Sequence, residues 1–255
     1  MMAAMHDVSY HTLPDGRRMA YRHIPGTGPL LVFLPGYMSD MTGSKAEALM
    51  GRALVEGRAC LLLDYSGCGA SDGDFADGTL SRWRDEVLAL IEAVTAGPVM
   101  LVGSSMGGWL MLLVGEALGD RLAGMIGIAA APDFTHWGFT LPEQGRLAAG
   151  ETIYADNPYG PDPTPTHARF WADGQAQRRL DTPIAVTCPV TLLHGQRDAN
   201  VPWSVSLRLA AALRSDAVQV VLVKDGDHRL SREEDIALLH QTVAAMFARI
   251  AGDAA

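Results

Sequence analysis

The segment LVGSSMGGW contains two serines enclosed by three glycines. A serine hydroxyl becomes a strong nucleophile only where the backbone presents it to a base. Gly103 and Gly107 lie two positions before and two positions after Ser105, which matches the pattern G-x-S-x-G. In such a turn the central residue takes a strained conformation and the flanking positions crowd together, so both must lack a Cβ atom. Centring the pattern on Ser104 would put Val102 at a crowded position, so the sequence predicts Ser105 as the nucleophile.

A serine nucleophile needs a histidine base that is oriented by a carboxylate. Where the nucleophile lies on a strand-to-helix turn, the acid and the histidine follow in that order along the chain. His228 in KDGDHRL follows the last strand-like run, and Asp198 in HGQRDANVPW follows the run before it. Asp133 follows an earlier strand-like run and stays an alternative acid. We therefore expect Ser105, Asp198 and His228 to act as nucleophile, acid and base.

The negative charge that develops on an attacked carbonyl oxygen requires fixed N–H donors. The backbone amide of Met106, at the start of the helix that follows Ser105, is one predicted donor. The other is the backbone amide of Tyr37 in the loop PGYM. Gly36 in the same loop lets the backbone approach a substrate, so it is a predicted substrate-binding residue.

These residues need elements that bring them to one edge of a sheet. The runs LLVFLPG, ACLLLDYSG, VMLVG, MIGIAAAP, PVTLLHG and VQVVLVKDG are continuously apolar, which is typical of strands covered on both faces. Helical periodicity lies between them, for example after Thr79 and again after Ser231, where Glu234 completes a capping-box pattern. VSYHTL and RRMAYRHI around a Pro-Asp-Gly turn predict an antiparallel hairpin. The alternation predicts an α/β fold with a mostly parallel central sheet and helices on both faces.

The chain has 255 residues, of which 48% are hydrophobic and 19% are charged, enough for one full-sized core. We expect a single domain over residues 1–255. Residues 133–183 are rich in proline and interrupt the alternation, so we expect a short cap inserted between two strands, over their C-terminal ends. Its aromatic residues, among them Trp137 and Phe139, are predicted to contact the acyl group or to pack the cap on the body.

Composition excludes several function classes. The net charge of -9 and the lack of a Lys/Arg-rich run exclude a nucleic-acid partner. No apolar run approaches the roughly 18 residues of a transmembrane helix, and MMAAMHDVSYHTL lacks the features of a secretory signal, so we expect a cytoplasmic protein. No metal-ligand spacing or dinucleotide loop occurs, so we expect no metal and no cofactor. The sequence makes no prediction about oligomeric state.

Five stretches carry a resemblance to a known family: GYMSDMTGSKA, DYSGCGASDG, GPVMLVGSSMGGWLML, CPVTLLHGQRDANVPW and DGDHRLS. On these stretches the chain resembles the α/β-hydrolase superfamily. Within it, the chain is similar to the palmitoyl-protein thioesterase family of abhydrolase domain-containing protein ten, whose members also act as acyl-glucuronide esterases. The resemblance implies Ser105, Asp198 and His228 as the triad and the amides of Tyr37 and Met106 as oxyanion donors. Eukaryotic members are mitochondrial and carry a targeting extension that is not evident here, so a bacterial-type cytoplasmic member is expected.

The expected activity is hydrolysis of a carboxylic ester or thioester through an acyl-enzyme, with protein S-acyl groups among the candidates. The expected partner is a small-molecule or acylated substrate. A thioester and an oxygen ester present the same carbonyl to these residues, so the residues do not choose between them. Three alternatives stay open: a generalist carboxylesterase for small esters, other superfamily chemistry such as C–C bond hydrolysis, and a binding module in which Ser105 is unreactive.

Overall fold

A computed structural model describes residues 7–157 and 161–253 of the chain. The strands are β1 Ser9–Thr12, β2 Arg18–Ile24, β3 Thr27–Leu34, β4 Arg58–Leu63, β5 Val99–Ser104, β6 Leu122–Ile128, β7 Ile153–Ala155, β8 Thr164–Thr166, β9 Val190–Gly195 and β10 Val218–Val223. The helices are α1 Ser44–Glu56, α2 Leu80–Val94, α3 Met106–Leu118, α4 Phe134–Trp137, α5 Leu141–Ala148, α6 Ala168–Ala176, α7 Ser204–Ala212 and α8 Glu233–Asp253.

Eight of the strands in the described ranges form one sheet in the order β1-β2-β4-β3-β5-β6-β9-β10. β2 pairs antiparallel with both β1 and β4, whereas the remaining neighbours in the sheet pair in parallel. Gly16, with a φ of 88°, lies in the turn between β1 and β2 and supplies a conformation that glycine adopts at little steric cost. The predicted opening hairpin and mostly parallel sheet are confirmed.

The apolar core lies on both faces of this sheet. β5 and β9 are buried along their whole lengths, which explains why their sequences are apolar without alternation. α2, α3 and α7 cover one face, where Trp83 and Trp109 are fully buried. α1 and α8 cover the other face, where Leu49 and Phe247 are buried. The helices on both faces agree with the predicted α/β architecture.

Parallel pairing brings the candidate functional residues to one edge of the sheet. Because β3, β5, β9 and β10 run in the same direction, the loops that follow them all leave from the C-terminal edge. These loops carry Tyr37, Ser105, Asp198 and His228 respectively. The topology therefore places four residues that are distant in sequence over the same end of the sheet.

Residues 133–183, the predicted cap, contain α4, α5, α6 and a small antiparallel sheet of β7 and β8. Residues 158–160 of this segment lie outside the described residues. α6 contacts the start of α2, where the amide and the hydroxyl of Ser81 donate hydrogen bonds to Asp173 at 2.9 and 2.5 Å. The single domain over 1–255 and the boundaries of the cap stay predictions.

Ser231 does not cap the last helix, so the predicted capping box was wrong. α8 begins two residues after it. The Ser231 hydroxyl donates to the Arg229 carbonyl at 3.0 Å and accepts from the Lys45 ammonium at 3.1 Å. Asp235 instead accepts from the backbone amide of Arg232 at 3.1 Å, close to the start of the helix. The serine is engaged with its own loop, and an aspartate supplies the helix-end contact.

No helix in the described part of the chain combines the length and apolar composition that crossing a bilayer requires. Residues 1–6, part of the segment that bears on a targeting signal, lie outside the described residues.

Candidate active site

Ser105 lies at the sharp turn between β5 and α3. Its backbone angles, φ 54° and ψ -119°, lie in a region that residues other than glycine rarely adopt. A Cβ atom at Gly103 would lie 2.4 Å from the carbonyl oxygen of Gly107, and one at Gly107 would lie 2.1 Å from that of Leu34. Because both distances are far shorter than a van der Waals contact, the turn requires glycine at both positions. Ser104, in contrast, is the buried last residue of β5.

His228 lies between Ser105 and Asp198. Its Nε2 atom is 3.1 Å from Ser105 Oγ, and its Nδ1 atom is 2.8 Å from Asp198 Oδ2. An ionised carboxylate only accepts hydrogen bonds, so the proton of a neutral imidazole lies on Nδ1 and Nε2 accepts from the serine hydroxyl. The structure thus brings together the three residues that the sequence predicts as nucleophile, base and acid, in the geometry of a serine nucleophile beside its base.

The Asp198 side chain is fully buried, and protein groups satisfy both of its oxygens. Oδ1 accepts from the backbone amides of Asn200 and Val201, each at 2.8 Å, and Oδ2 accepts from His228. Nε2 of His194 lies 3.2 Å from Oδ2 as well. Burial alone would raise the pKa of this carboxyl, but the hydrogen bonds from both histidines and the charge of His228 lower it well below its usual range. Asp198 is therefore held as an anion.

Asp133, the alternative acid, is used elsewhere. Its Oδ1 accepts from the backbone amide of Arg179 and its Oδ2 from that of Leu180, both at 2.8 Å. The side chain is buried, and these two bonds hold the segment that follows α6. Within the described ranges, no hydrogen bond joins Asp133 to His228, so the geometry favours Asp198 as the acid.

The loop that follows β3 lies directly against Ser105. A Cβ atom at Gly36 would be 3.4 Å from Ser105 Cβ, so this glycine allows the close approach that the sequence predicts. The Met106 amide is at the first position of α3, where it has no intrahelical acceptor. In the described residues, neither this amide nor that of Tyr37 donates a hydrogen bond to the protein. Both predicted oxyanion donors are thus available to a substrate oxygen.

The Tyr37 side chain connects this loop to residues 133–183. Its hydroxyl donates to the Pro165 carbonyl in β8 at 3.0 Å. Its ring packs against Phe75 and Phe170, with centroids 5.0 and 4.8 Å away. Burial raises the pKa of the phenol, which keeps it a neutral donor. These side-chain contacts hold Tyr37, and with it the backbone amide, in place.

A cavity of about 540 Å³ opens at Ser105 and His228, within the roughly 300–1,000 Å³ that ligand sites usually offer. Gly36 lines it, as predicted. Several lining residues are polar and were not predicted from the sequence to bind substrate: Ser39, Asp40, Ser44, Lys45, Asp156, Asn157, Thr164, Asn200, Arg229 and Ser231. The apolar part of the wall is of comparable area and includes Phe33, Met38, Ala46 and Ala155. The polar residues come from loops and helices that only the tertiary fold brings together, so no local pattern in the sequence connects them with Ser105.

Trp137 and Phe139 do not line this cavity, in contrast to their predicted role as substrate-binding residues. α4 is a single turn that ends at Trp137, and the indole donates to the Pro132 carbonyl at 2.8 Å while its rings pack on the core. The Phe139 side chain is half-buried, and its carbonyl accepts from Gln144 at 3.0 Å. The sequence analysis left open a second role for these aromatic residues, packing of the cap on the body. Trp137 has that role in the structure.

Lys45, near the start of α1, lies in the cavity wall and contacts the loop that carries His228. Its ammonium donates to the Arg229 carbonyl at 2.5 Å and to the Ser231 hydroxyl at 3.1 Å. Burial, followed by the positive charge of Arg229, lowers the pKa of Lys45 to about 8. The residue therefore joins α1 to the His228 loop and carries a labile charge beside the cavity.

Comparison with known proteins places this geometry in a family. Residues 31–252 match the profile of the alpha/beta hydrolase family. The chain belongs to the α/β-hydrolase family. The human palmitoyl-protein thioesterase ABHD10, a protein named as mitochondrial, is 36% identical over 245 residues, covering 92% of this chain and 78% of the human protein.

Two solved structures extend the comparison. The mouse alpha/beta hydrolase domain-containing protein 10 superposes with a TM-score of 0.89 at 36% identity, covering 96% of this chain and 99% of the mouse chain. A putative hydrolase from Agrobacterium vitis S4 superposes with a TM-score of 0.88 at 36% identity, covering 94% and 99% of the two chains. The predicted α/β-hydrolase fold and family resemblance are confirmed, and this α/β hydrolase is an enzyme.

Proposed function

We propose that this α/β hydrolase cleaves carboxylic thioesters or esters through an acyl-enzyme on Ser105. The observation that carries the proposal is the continuous hydrogen-bonded arrangement from Ser105 Oγ through His228 to Asp198, with distances of 3.1 and 2.8 Å. Two backbone amides, of Tyr37 and Met106, lie beside the nucleophile without an acceptor in the described chain. This set of groups matches the requirements of acyl transfer by a serine nucleophile.

In the first step, His228 Nε2 accepts the proton of the Ser105 hydroxyl while Oγ attacks the substrate carbonyl carbon. The imidazolium that forms is stabilised by Asp198, which stays an anion because its pKa is low and its oxygens are satisfied. Asp198 also fixes the tautomer in which Nε2 is free to accept. The tetrahedral oxygen receives hydrogen bonds from the amides of Tyr37 and Met106, and the helix dipole of α3 favours its negative charge.

Collapse of the tetrahedral intermediate breaks the bond to the leaving sulfur or oxygen, which takes the proton from His228. Water then replaces the leaving group, and His228 removes a proton from it as it attacks the acyl carbonyl. A second collapse releases the carboxylic acid and returns the proton to Ser105. Each step uses groups of this chain and water.

The substrate class follows from the relatives and from the cavity. Relatives named palmitoyl-protein thioesterases support an S-acylated protein as the substrate. The cavity at Ser105 has a wall that is part apolar and part polar, and the polar part includes the charged groups of Lys45 and Asp40. These charged groups favour a second candidate, a carboxylesterase of small polar esters, because a polar substrate offers them hydrogen-bond partners that an alkyl chain does not.

The names of the relatives place them in mitochondria, and a cytoplasmic location stays our proposal for this chain. Fractionation of the host cell, with detection of the native protein, is expected to recover it in the cytoplasmic fraction.

A fluorophosphonate probe tests the nucleophile. We expect wild-type protein to be labelled and Ser105→Ala to lose both labelling and about 10³-fold or more of its turnover. Ser104→Ala is the matched control, because Ser104 is the adjacent residue with the same side chain, and it should retain most of both. Labelling that survives Ser105→Ala and disappears in Ser104→Ala contradicts the assignment. Absence of labelling in folded wild-type protein favours a binding module.

Turnover of S-acyl peptides and of p-nitrophenyl esters, each from acetyl to palmitoyl, separates the two substrate classes. A thioesterase of long acyl groups should show a rising kcat/KM with chain length on the thioesters. A generalist carboxylesterase should prefer the short oxygen esters. If neither series is turned over by labelled protein, other superfamily chemistry is favoured.

A further inference from the structure

A second histidine lies beneath the proposed triad. His194, the penultimate residue of β9, is fully buried. Its Nδ1 atom lies 2.7 Å from the hydroxyl of Ser206 in α7. Its Nε2 atom lies 3.0 Å from the carbonyl oxygen of Val201 and 3.2 Å from Oδ2 of Asp198. The ring therefore joins a helix on one face of the sheet to the loop that carries the proposed acid.

The partners of His194 determine where its proton lies. A carbonyl oxygen only accepts hydrogen bonds, so Nε2, which faces the Val201 carbonyl, must carry a proton. The Ser206 hydroxyl can donate to Nδ1 or accept from it, and neither arrangement removes the proton from Nε2. The Nε2 proton is thus shared between Val201 and the carboxylate of Asp198, which is also an acceptor only.

We propose that His194 is a positioning residue for the hydrolytic reaction, holding Asp198 Oδ2 where His228 can donate to it. The inference depends on the proposed function, since it assigns a role within the same site. His194 does not line the cavity at Ser105, and its partners are Ser206, Val201 and Asp198, so it acts through Asp198.

The contacts of Asp198 explain why this bond affects orientation. Oδ1 is held by the amides of Asn200 and Val201, both from the chain that directly follows it. Oδ2 is held by His228, which moves a proton during the reaction, and by His194, which does not. Without His194, the Oδ2 atom depends on the very residue that it is meant to orient. A displaced Oδ2 atom would misorient the His228 imidazole, which lowers the rate of proton transfer rather than the affinity for substrate.

Two substitutions of similar polarity separate orientation from simple packing. The amide of a glutamine reaches about as far as Nε2 of histidine, whereas that of an asparagine reaches only about as far as Nδ1. His194→Gln retains a donor toward Asp198, and His194→Asn retains a partner for Ser206 but no donor toward Asp198. His240→Asn is the control, because His240 also contacts a backbone carbonyl, that of Ala48 at 3.2 Å, but lies on α8 away from the site.

The measurement is kcat and KM on an ester that the wild-type protein turns over, with thermal unfolding of each variant. We expect kcat of His194→Asn to fall about 10- to 100-fold, as is typical when an outer hydrogen-bond partner of a reactive group is lost. KM should stay within about twofold, because no substrate contact changes. His194→Gln should recover most of the lost kcat, and His240→Asn should resemble the wild type.

Equal kcat for the asparagine and glutamine variants, whether both are high or both are low, overturns the proposal. So does a loss of kcat that follows the loss of thermal stability across all variants. If neither variant folds, ¹⁵N NMR of the wild-type protein decides: a proton on Nε2 of His194 supports the proposal, and a ring protonated on Nδ1 alone overturns it. Wild-type protein that is neither labelled by fluorophosphonate nor active indicates instead that the proposed function fails.

Discussion

His228 donates to Asp198 across 2.8 Å, and the two residues belong to loops that leave the ends of adjacent parallel strands. The register between β9 and β10 pairs Gly195 with Val223, the last residue of each strand. Both loops therefore start side by side at the same edge of the sheet. The hydrogen bond is a consequence of strand register, and each partner needs only a short loop to reach the other.

Substitution of Asp198 by asparagine is the first prediction. Asn can donate to His228 Nδ1, which favours the wrong tautomer, so we expect Asp198→Asn to lower kcat by about 10³- to 10⁴-fold. Asp133→Asn is the control, since Asp133 is also a buried aspartate that accepts from two backbone amides. It should retain turnover and lose stability. A larger loss of kcat in Asp133→Asn than in Asp198→Asn would move the acid to the earlier strand.

Much of this arrangement could be predicted from the sequence because it depends on short-range rules. The elbow is local: Gly103 and Gly107 are needed by contacts within a few residues of Ser105 and with the neighbouring β3. The placement of Asp198 and His228 after successive strands follows from the continuous apolar runs that identify parallel strands. Strand order and the common direction then bring these loops together without further information.

The elbow glycines give the second prediction. A Cβ atom at Gly107 would meet the backbone carbonyl of Leu34 at 2.1 Å, and backbone cannot move aside as a side chain can. We expect Gly107→Ala to destabilise the protein by about 2–4 kcal/mol and to abolish fluorophosphonate labelling. Gly51→Ala is the matched control, because Gly51 is exposed within α1 and a Cβ atom there meets nothing within 4 Å. It should stabilise the protein by about 0.5–1 kcal/mol in urea unfolding. A tolerated Gly107→Ala would show that the turn is not as tight as described.

The cavity lining gives the third prediction. Phe139 does not line the cavity at Ser105, whereas Met38 does and is about half exposed there. We expect Phe139→Ala and Trp137→Phe to leave KM within about twofold, and Met38→Ala to raise it about two- to tenfold. The comparison uses initial rates on one ester for all three variants. A KM increase confined to the Phe139 and Trp137 variants would restore them as substrate contacts.

The residues that sequence analysis missed, and those to which it assigned another role, have positions that depend on tertiary contacts. Lys45 and Asn157 reach the cavity from α1 and from the end of β7, elements that no local pattern connects with Ser105. The role of Trp137 depends on the direction in which a single helical turn faces, and a few residues carry too little periodicity to define it. Ser231 matched a capping pattern, but its hydroxyl has tertiary partners in Arg229 and Lys45. In each case tertiary contacts, rather than the local sequence, determine where the side chain lies.

Lys45 gives the last prediction, on stability against pH. Burial and the charge of Arg229 lower its pKa from an ordinary 10.5 to about 8 in the folded protein. Between these values the unfolded chain binds more protons at this site than the native protein does, so the contribution of Lys45 to stability rises with pH across that window. We expect the free energy of unfolding of Lys45→Met, measured by urea titration, to lack this rise. The free energy of unfolding of the wild-type protein should therefore increase relative to that of the variant as pH increases from about 8 to 10.5. Lys224→Met, at an exposed position after β10, is the control and should keep the slope of the wild type. A slope that is unchanged in Lys45→Met would mean that the ammonium is fully solvated in the native protein.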